Sequence, residues 1–273
     1  MDRLVLKTIN DIKSLKIQGA RNIAIAALDA LLHVAKKSGF GQEFYEAADM
    51  LESSRTTAVP LYNVIEAAKR RKSIDSIKEL KTFFQIAMEN VVENGAKLIK
   101  DDMVVMTHCH SSEAVLALKA AKTNGRRFKV IVTETRPKMQ GIRTAQELAS
   151  AKIPVEYAID SAAGLYMKDA SIVILGCDAI RKEGIYNKIG TYMIALCAKE
   201  HDVPVYFIAD SLKIDRRDSI EIEMRPKEEV ISPKELKGAK VLNPAFDCTP
   251  WKLVSGVITE RGIFRRWNEL INS

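Results

Sequence analysis

Apolar residues recur at helical spacing through the first hundred positions of the chain. Leu4, Ile9, Ile12, Leu15 and Ile17 lie two to five residues apart, and the stretch 23–36 is rich in Ala and Leu. A further helix fits 42–51. Pro60 sits where another can begin, because its fixed φ and missing N–H suit a first helical turn. Residues 74–99 form a long periodic stretch, and no valine-rich strand interrupts the region. The pattern predicts an all-helical domain over 1–100.

The rhythm changes after Asp101 and Asp102. Short apolar runs rich in β-branched residues now alternate with helical patterns. The predicted strands are 103–107, 129–133, 155–158, 171–175 and 203–208. The predicted helices between them are 113–123, 143–151, 162–167 and 190–201. A run as apolar as SIVILG suits a strand buried on both faces. Strand–helix alternation of this kind predicts a Rossmann-like, mostly parallel sheet over 101–273, giving an α/β protein with a helical N-terminal domain. Residues 210–240 are charged and irregular, and are expected to wrap the domain edge. The segment VLNPAFDCTPWKLVSGVITERG is expected to add a final strand.

Composition narrows the class of function. A hydrophobic fraction of 47% and a charged fraction of 28% are those of an ordinary soluble domain. No apolar run reaches the roughly 20 residues of a membrane span. The N-terminal residues mix acids and bases in a helical pattern, unlike a signal peptide, so a cytoplasmic protein is expected. The four cysteines form no CxxC pair, so reduced thiols are the expectation. A net charge of +7 fits an anionic ligand or nucleic acid. The main basic run, Lys69 to Lys72, closes a helix, where cations suit the negative helix end. Without aromatic-interleaved basic segments, nucleic acid is disfavoured.

In open α/β sheets, ligands bind beyond the carboxyl ends of the strands. The first strand ends in THCHSS, with Ser111 or Ser112 placed to cap the next helix. Backbone N–H groups at such a helix start bind phosphate readily. The same position would lower the pKa of Cys109, although a buried, inert cysteine is the plain alternative. His108, Cys109 and His110 cannot all converge on a metal, because successive extended side chains alternate faces. The second strand ends in TETRPKMQG, where Arg136 suits phosphate or an ion pair with Glu134. Asp178 follows the fourth strand, either as a cap or as a carboxylate held in the crevice. Cys177 alternates away from it. Asn187 and Lys188 precede a helix start at Gly190, and Lys213 follows the fifth strand. A thiol and a carboxylate beside cations suit proton transfer between adjacent carbons. No GxGxxG or P-loop motif supports dinucleotide or nucleoside triphosphate chemistry.

These residues carry a family resemblance. THC at 107–109, TETRP…QG at 133–141, GCD at 176–178, NKIGT at 187–191 and NPAFDCTP at 243–250 resemble one superfamily. It contains archaeal ribose-1,5-bisphosphate isomerase, methylthioribose-1-phosphate isomerase and the regulatory subunits of initiation factor 2B. IQGAR at 17–21 and SSRTTAV at 53–59 are similar to its N-terminal phosphate-site segments. Within it, the chain most resembles the ribose-1,5-bisphosphate isomerase branch. It lacks the N-terminal extension typical of the methylthioribose enzymes. The non-catalytic initiation-factor subunits usually do not keep both the cysteine and the aspartate.

The resemblance implies an aldose–ketose isomerase that converts ribose 1,5-bisphosphate to ribulose 1,5-bisphosphate in nucleoside and AMP salvage, with no metal or cofactor. It implies Cys109 as proton acceptor and Asp178 as proton donor. Gly19, Ala20, Arg21, Arg55, Ser111, Ser112, Asn187, Lys188 and Lys213 match substrate-binding positions, and Gln140 matches a ligand-binding glutamine of the methylthioribose branch. The chain departs from the family pattern at Gln18, His110 and the Thr56–Thr57 pair, and the segment between GCD and NKIGT is one residue shorter. The resemblance also implies a homo-oligomer, either a dimer or a hexamer built as a trimer of dimers. A closing motion of the helical domain, which would exclude water around a reactive intermediate, is a separate expectation. The competing readings are methylthioribose-1-phosphate isomerase and an initiation factor 2B-like regulatory subunit that senses a nucleotide or sugar phosphate.

Overall fold

The computed structural model describes residues 2–14, 16–17, 19–219, 222–232, 235 and 238–272; Gln18, one of the departures noted above, lies outside them. The chain divides into two compact units. The first holds residues 1–87 with 212–217, and the second holds 88–211 with 218–273.

The first unit is helical: α1 (Arg3–Lys13), α2 (Ala20–Ser38), α3 (Gln42–Ser53), α4 (Val59–Arg71) and most of α5 (Ile74–Ala96). The Asp2 carboxylate starts α1 by accepting the Leu4 N–H at 2.9 Å. Val5, Ile9 and Ile12 then turn one buried face inward at spacings of four and three. The alanines of α2 let its neighbours pack closely, and Leu28, Leu31, Phe44, Leu61, Ile65 and Phe84 fill a common core. Each such fully buried side chain contributes about 1.5–3 kcal/mol. Residues 212–217 join this unit through Asn63, whose side-chain amide donates to the carbonyls of Leu212 at 2.6 Å and Ile214 at 2.9 Å. Arg217 also lies over the Tyr62 ring and donates to the Thr56 carbonyl at 3.0 Å.

The second unit is α/β. Its strands are β1 (Val104–Thr107), β2 (Lys129–Thr133), β3 (Val155–Ala158), β4 (Ile172–Gly176), β5 (Ala179–Ile180), β6 (Gly184–Lys188), β7 (Val205–Ile208), β8 (Phe246–Pro250), β9 (Gly256–Thr259) and β10 (Gly262–Phe264). Its helices are α6 (Ser112–Thr123), α7 (Gln140–Ser150), α8 (Ala163–Met167), α9 (Thr191–Glu200) and α10 (Trp267–Ile271). Seven strands form one sheet in the order β10-β9-β7-β4-β1-β2-β3, parallel throughout except for the β9–β10 hairpin at one edge. The strand order runs outward from β1 in one direction to β3 and from β4 in the other, so β1 and β4 flank the switch point of a doubly wound sheet. Val105, Val130, Val132, Ile172, Ile174 and Ile258 are buried beneath the helices. The expected mostly parallel, Rossmann-like sheet is therefore present.

The end of the chain differs from the expectation. Instead of one final strand, 243–264 supplies three. β9 and β10 extend the main sheet, whereas β8 pairs antiparallel with β6 in a separate sheet of order β5-β6-β8. β6 and β8 lie some sixty residues apart in sequence, so no local pattern announces their pairing. Among the described residues, no helix is long and apolar enough to cross a membrane.

Candidate functional site

The ends of β1 and β4 carry Cys109 and Asp178. β4 is buried along its length and β1 from Val105 onward because helices cover the sheet on either side. Gly176, the last residue of β4, has no room for a side chain: a Cβ there would lie 2.5 Å from the Cβ of Ser111. The glycine thus lets the β1–α6 turn close against the end of β4. Ser111 caps α6 as expected, its hydroxyl accepting the Ala114 N–H at 3.3 Å and lying 3.0 Å from a Glu113 carboxylate oxygen. Ser112 is the exposed first residue of that helix.

Asp178 is tied to the small sheet, its N–H donating to the Tyr186 carbonyl at 2.8 Å. Lys188, at the end of β6, lies with its ammonium 5.3 Å from the centre of the Phe246 ring. The charges of Lys188, Asp178 and Asp160 all act on the Cys109 thiol. Burial dominates and raises the thiol pKa to about 11; Lys188 pulls it down, and the two carboxylates push it up. The expectation of a thiol made acidic by the helix start is thus corrected, because desolvation outweighs the nearby positive charge.

His108 and His110 take separate partners. His108 is buried, with Nε2 2.9 Å from the Ile189 carbonyl and Nδ1 2.5 Å from the Thr133 hydroxyl. A carbonyl can only accept, so Nε2 carries the hydrogen and Nδ1 accepts from the threonine. Burial holds the His108 pKa below its usual value, which agrees with a neutral ring. His110 contacts Glu147 at 3.1 Å, a carboxylate also held by Arg143 and Lys119.

The loop after β2 packs tightly beneath α7. A Cβ on Gly141 would meet the Thr133 carbonyl oxygen at 1.9 Å. Gln140 heads that helix, and its Oε1 is buried without a hydrogen-bond partner. Arg136 is exposed, and its guanidinium donates to the Val230 carbonyl at 2.8 Å; no ion pair with Glu134 is present among the described residues.

The start of α9 is capped from elsewhere in the chain. Its backbone donors are already engaged, since Asp247 on β8 accepts the N–H of Gly190 at 2.8 Å and of Tyr192 at 3.1 Å. A carboxylate of the chain thus occupies these helix-start donors, groups of the kind that elsewhere bind phosphate. Gly190 has φ +101, a conformation suited to glycine, at this turn. Asn187 is buried and donates to the Thr191 hydroxyl at 2.9 Å, which in turn donates to the Lys188 carbonyl at 2.7 Å. The NKIGT and NPAFD segments are therefore physically one feature, paired strand to strand with Asn187 opposite Asp247.

Cys109, Ser111, Ser112, Gln140, Asp178, Asn187 and Lys188 all belong to the second unit. Gly19, Ala20, Arg21, Arg55 and Lys213 belong to the first. Gly19 precedes α2 with φ +85, and Ala20 opens the helix. The Arg21 Nε is buried without a hydrogen-bond partner. Arg55 is half-buried, its carbonyl accepting the Ala58 N–H at 3.0 Å. Lys213 is buried in a short 3-10 turn. Sequence reading missed Asp160 and Asp247. The strand-end rule that selected Asp178 also fits Asp160, which follows β3; Asp247 had only its place in the NPAFDCTP motif.

Known proteins resemble this chain along its length. The Initiation factor 2 subunit family profile matches residues 16–266. A ribose 1,5-bisphosphate isomerase of Thermococcus kodakarensis is 43% identical, covering 95% of this chain and 90% of the relative. A methylthioribose-1-phosphate isomerase of Acetivibrio thermocellus is 34% identical, covering 94% and 87%. The crystal structure of the Pyrococcus horikoshii translation initiation factor eIF-2B superposes with a TM-score of 0.87 at 30% identity, covering 99% and 100%.

Proposed function

We propose that this chain, which belongs to the Initiation factor 2 subunit family, is a sugar-phosphate isomerase that converts ribose 1,5-bisphosphate to ribulose 1,5-bisphosphate in nucleoside salvage. One observation carries the reading: a thiol and a carboxylate follow adjacent strands, β1 and β4, at the switch point of the sheet, with the Lys188 charge acting on the thiol. The net reaction moves the hydrogen on C2 to C1 and turns the C2 hydroxyl into a carbonyl. The ring C–O bond at C1 opens, and its oxygen gains the proton that the hydroxyl loses. Two groups of different intrinsic acidity suit that traffic: Cys109 is the acceptor of the C2 proton, and Asp178 supplies a proton to the opening sugar.

A bisphosphate needs cations at both ends, whereas a methylthio group needs an apolar pocket. Lys188 and Lys213 are basic residues at motif positions, and Arg55 is a third. Arg21 adds a buried guanidinium nitrogen without a partner, a donor that an anionic oxygen would satisfy. The identity to the ribose 1,5-bisphosphate isomerase, higher than that to the methylthioribose enzyme, favours the same substrate. The decisive assay offers ribose 1,5-bisphosphate and methylthioribose 1-phosphate side by side to the purified protein. Turnover of the first alone is expected, and turnover of the second alone would overturn the substrate.

A regulatory binding subunit is the second reading, favoured by the likeness to the eIF-2B structure. No turnover of any pentose phosphate, together with capture of a purified translation factor, would select it.

A further inference from the structure

The backbone at Cys109 is held where its side chain does not favour it. Its φ is +66, in the left-handed region that costs free energy for a residue with a Cβ. Thr135 has φ +63, which is worse still for a β-branched residue. The two strained residues are joined directly, the Cys109 N–H donating to the Thr135 hydroxyl oxygen at 2.8 Å. On the other side, the Thr144 hydroxyl of α7 donates to the Cys109 carbonyl at 2.8 Å. Both backbone polar groups of the cysteine are therefore fixed from outside its own loop.

Thr135 is fully buried and is pinned in turn by one carboxylate. Asp160, in the turn after β3, accepts the Thr135 N–H at 2.8 Å through Oδ1 and the Arg136 N–H at 2.7 Å through Oδ2. Its Oδ1 also lies 3.7 Å from the His108 ring. A chain of contacts thus runs from the end of β3, through the loop after β2, to the residue after β1.

We propose that Asp160, acting through Thr135, is a positioning residue that aims the Cys109 thiol for proton transfer. The role rests on the isomerase reading. Paired strain of this kind persists where the surroundings over-determine it, and here every clamp converges on the one residue assigned to take a proton. Relaxing Cys109 to a negative φ would swing its Cα–Cβ bond and re-aim the sulfur. The charged groups acting on that sulfur are Lys188, Asp178 and Asp160, so loss of Asp160 also changes its field.

The test compares Asp160→Ala, Asp160→Asn, Thr135→Val and Thr135→Ser with the unmodified protein. It reads kcat and KM on ribose 1,5-bisphosphate, and the rate of Cys109 alkylation by iodoacetamide against pH, followed by mass spectrometry. Asp160→Ala and Thr135→Val are expected to lower kcat about tenfold or more with KM within about twofold, because a small misplacement of a reacting group is costly. Thr135→Ser, which keeps the hydroxyl, is expected to restore most of kcat. The alkylation midpoint should fall in Asp160→Ala and Asp160→Asn, which remove a negative charge. Folded variants with the parent kcat and an unchanged alkylation profile would overturn the proposal, as would a change confined to KM. If Asp160→Ala or Thr135→Val fails to fold, Asp160→Asn and Thr135→Ser carry the decision. If the unmodified protein turns over no pentose phosphate, the isomerase reading fails, and the alkylation profiles alone decide whether Asp160 governs the thiol.

Discussion

The Asp247 carboxylate accepts the Gly190 N–H at 2.8 Å, so strand β8 caps helix α9 across more than fifty residues of sequence. That cap locks the small sheet to the turn carrying Ile189, whose carbonyl holds His108. The cap is costly to keep charged. Burial raises the Asp247 pKa to about 6, and the two backbone hydrogen bonds only partly offset it.

A pH dependence follows from that cost. An unfolded aspartate loses its proton near pH 4, whereas Asp247 in the folded chain keeps its proton up to about pH 6. The native state therefore binds more protons between those values, and this group's contribution to stability falls as pH rises through the window. Asp247→Asn is expected to remove that component. Thermal denaturation of both proteins from pH 4 to pH 7 should show the parent losing stability relative to the variant across the window. Parallel curves would refute the assignment.

Gly141 makes a steeper claim. An added methyl group would sit 1.9 Å from the Thr133 carbonyl oxygen and 3.0 Å from that of Glu134, both backbone atoms that cannot rotate away. Gly141→Ala is expected to cost about 3 kcal/mol or more, at the upper end for overpacking. Urea denaturation measures it, and a loss below about 1 kcal/mol would mean that the β2–α7 loop shifts freely.

How much of this was legible follows from where each signal lies in the chain. β2 and β3 have the predicted bounds, because KVIVT and VEYA are short β-favouring runs between turn residues. Ser111 was readable as a cap for the same local reason. The small sheet was not, since its third strand, Phe246–Pro250, pairs with Gly184–Lys188 only after returning from far down the chain. The same distance hid the Asp247 cap, and with it the fact that the α9 start is already filled. The thiol acidity was misjudged because position at a helix start is visible in sequence, whereas desolvation is set by everything that packs around the sulfur.

Cys109→Ser and Asp178→Asn test the acid–base pair directly. Each substitution nearly preserves volume, so the fold should survive, with circular dichroism and thermal midpoint close to the parent's. Loss of one proton-transfer group costs about 10²–10⁴ in rate. Isomerisation of ribose 1,5-bisphosphate should fall by that factor in each variant. Full activity in either would remove that residue from the chemistry.

The raised thiol pKa makes the direction of proton transfer measurable. With a value of about 11, only about one part in ten thousand of the free protein carries the thiolate at pH 7. If Cys109 accepts the C2 proton, kcat/KM reports that fraction in the free enzyme and should rise about tenfold per pH unit from pH 7 to pH 9. Lys188 is the cation that favours the thiolate, so Lys188→Met should push the rising limb to still higher pH. The opposite assignment, with the neutral thiol donating and the carboxylate accepting, gives a profile that is flat near neutrality and falls at high pH. Stopped-time assays of product at saturating and limiting substrate, across pH 6 to 10, separate the two. A falling alkaline limb that Cys109→Ser abolishes would exchange the roles of Cys109 and Asp178 while leaving the isomerase reaction in place.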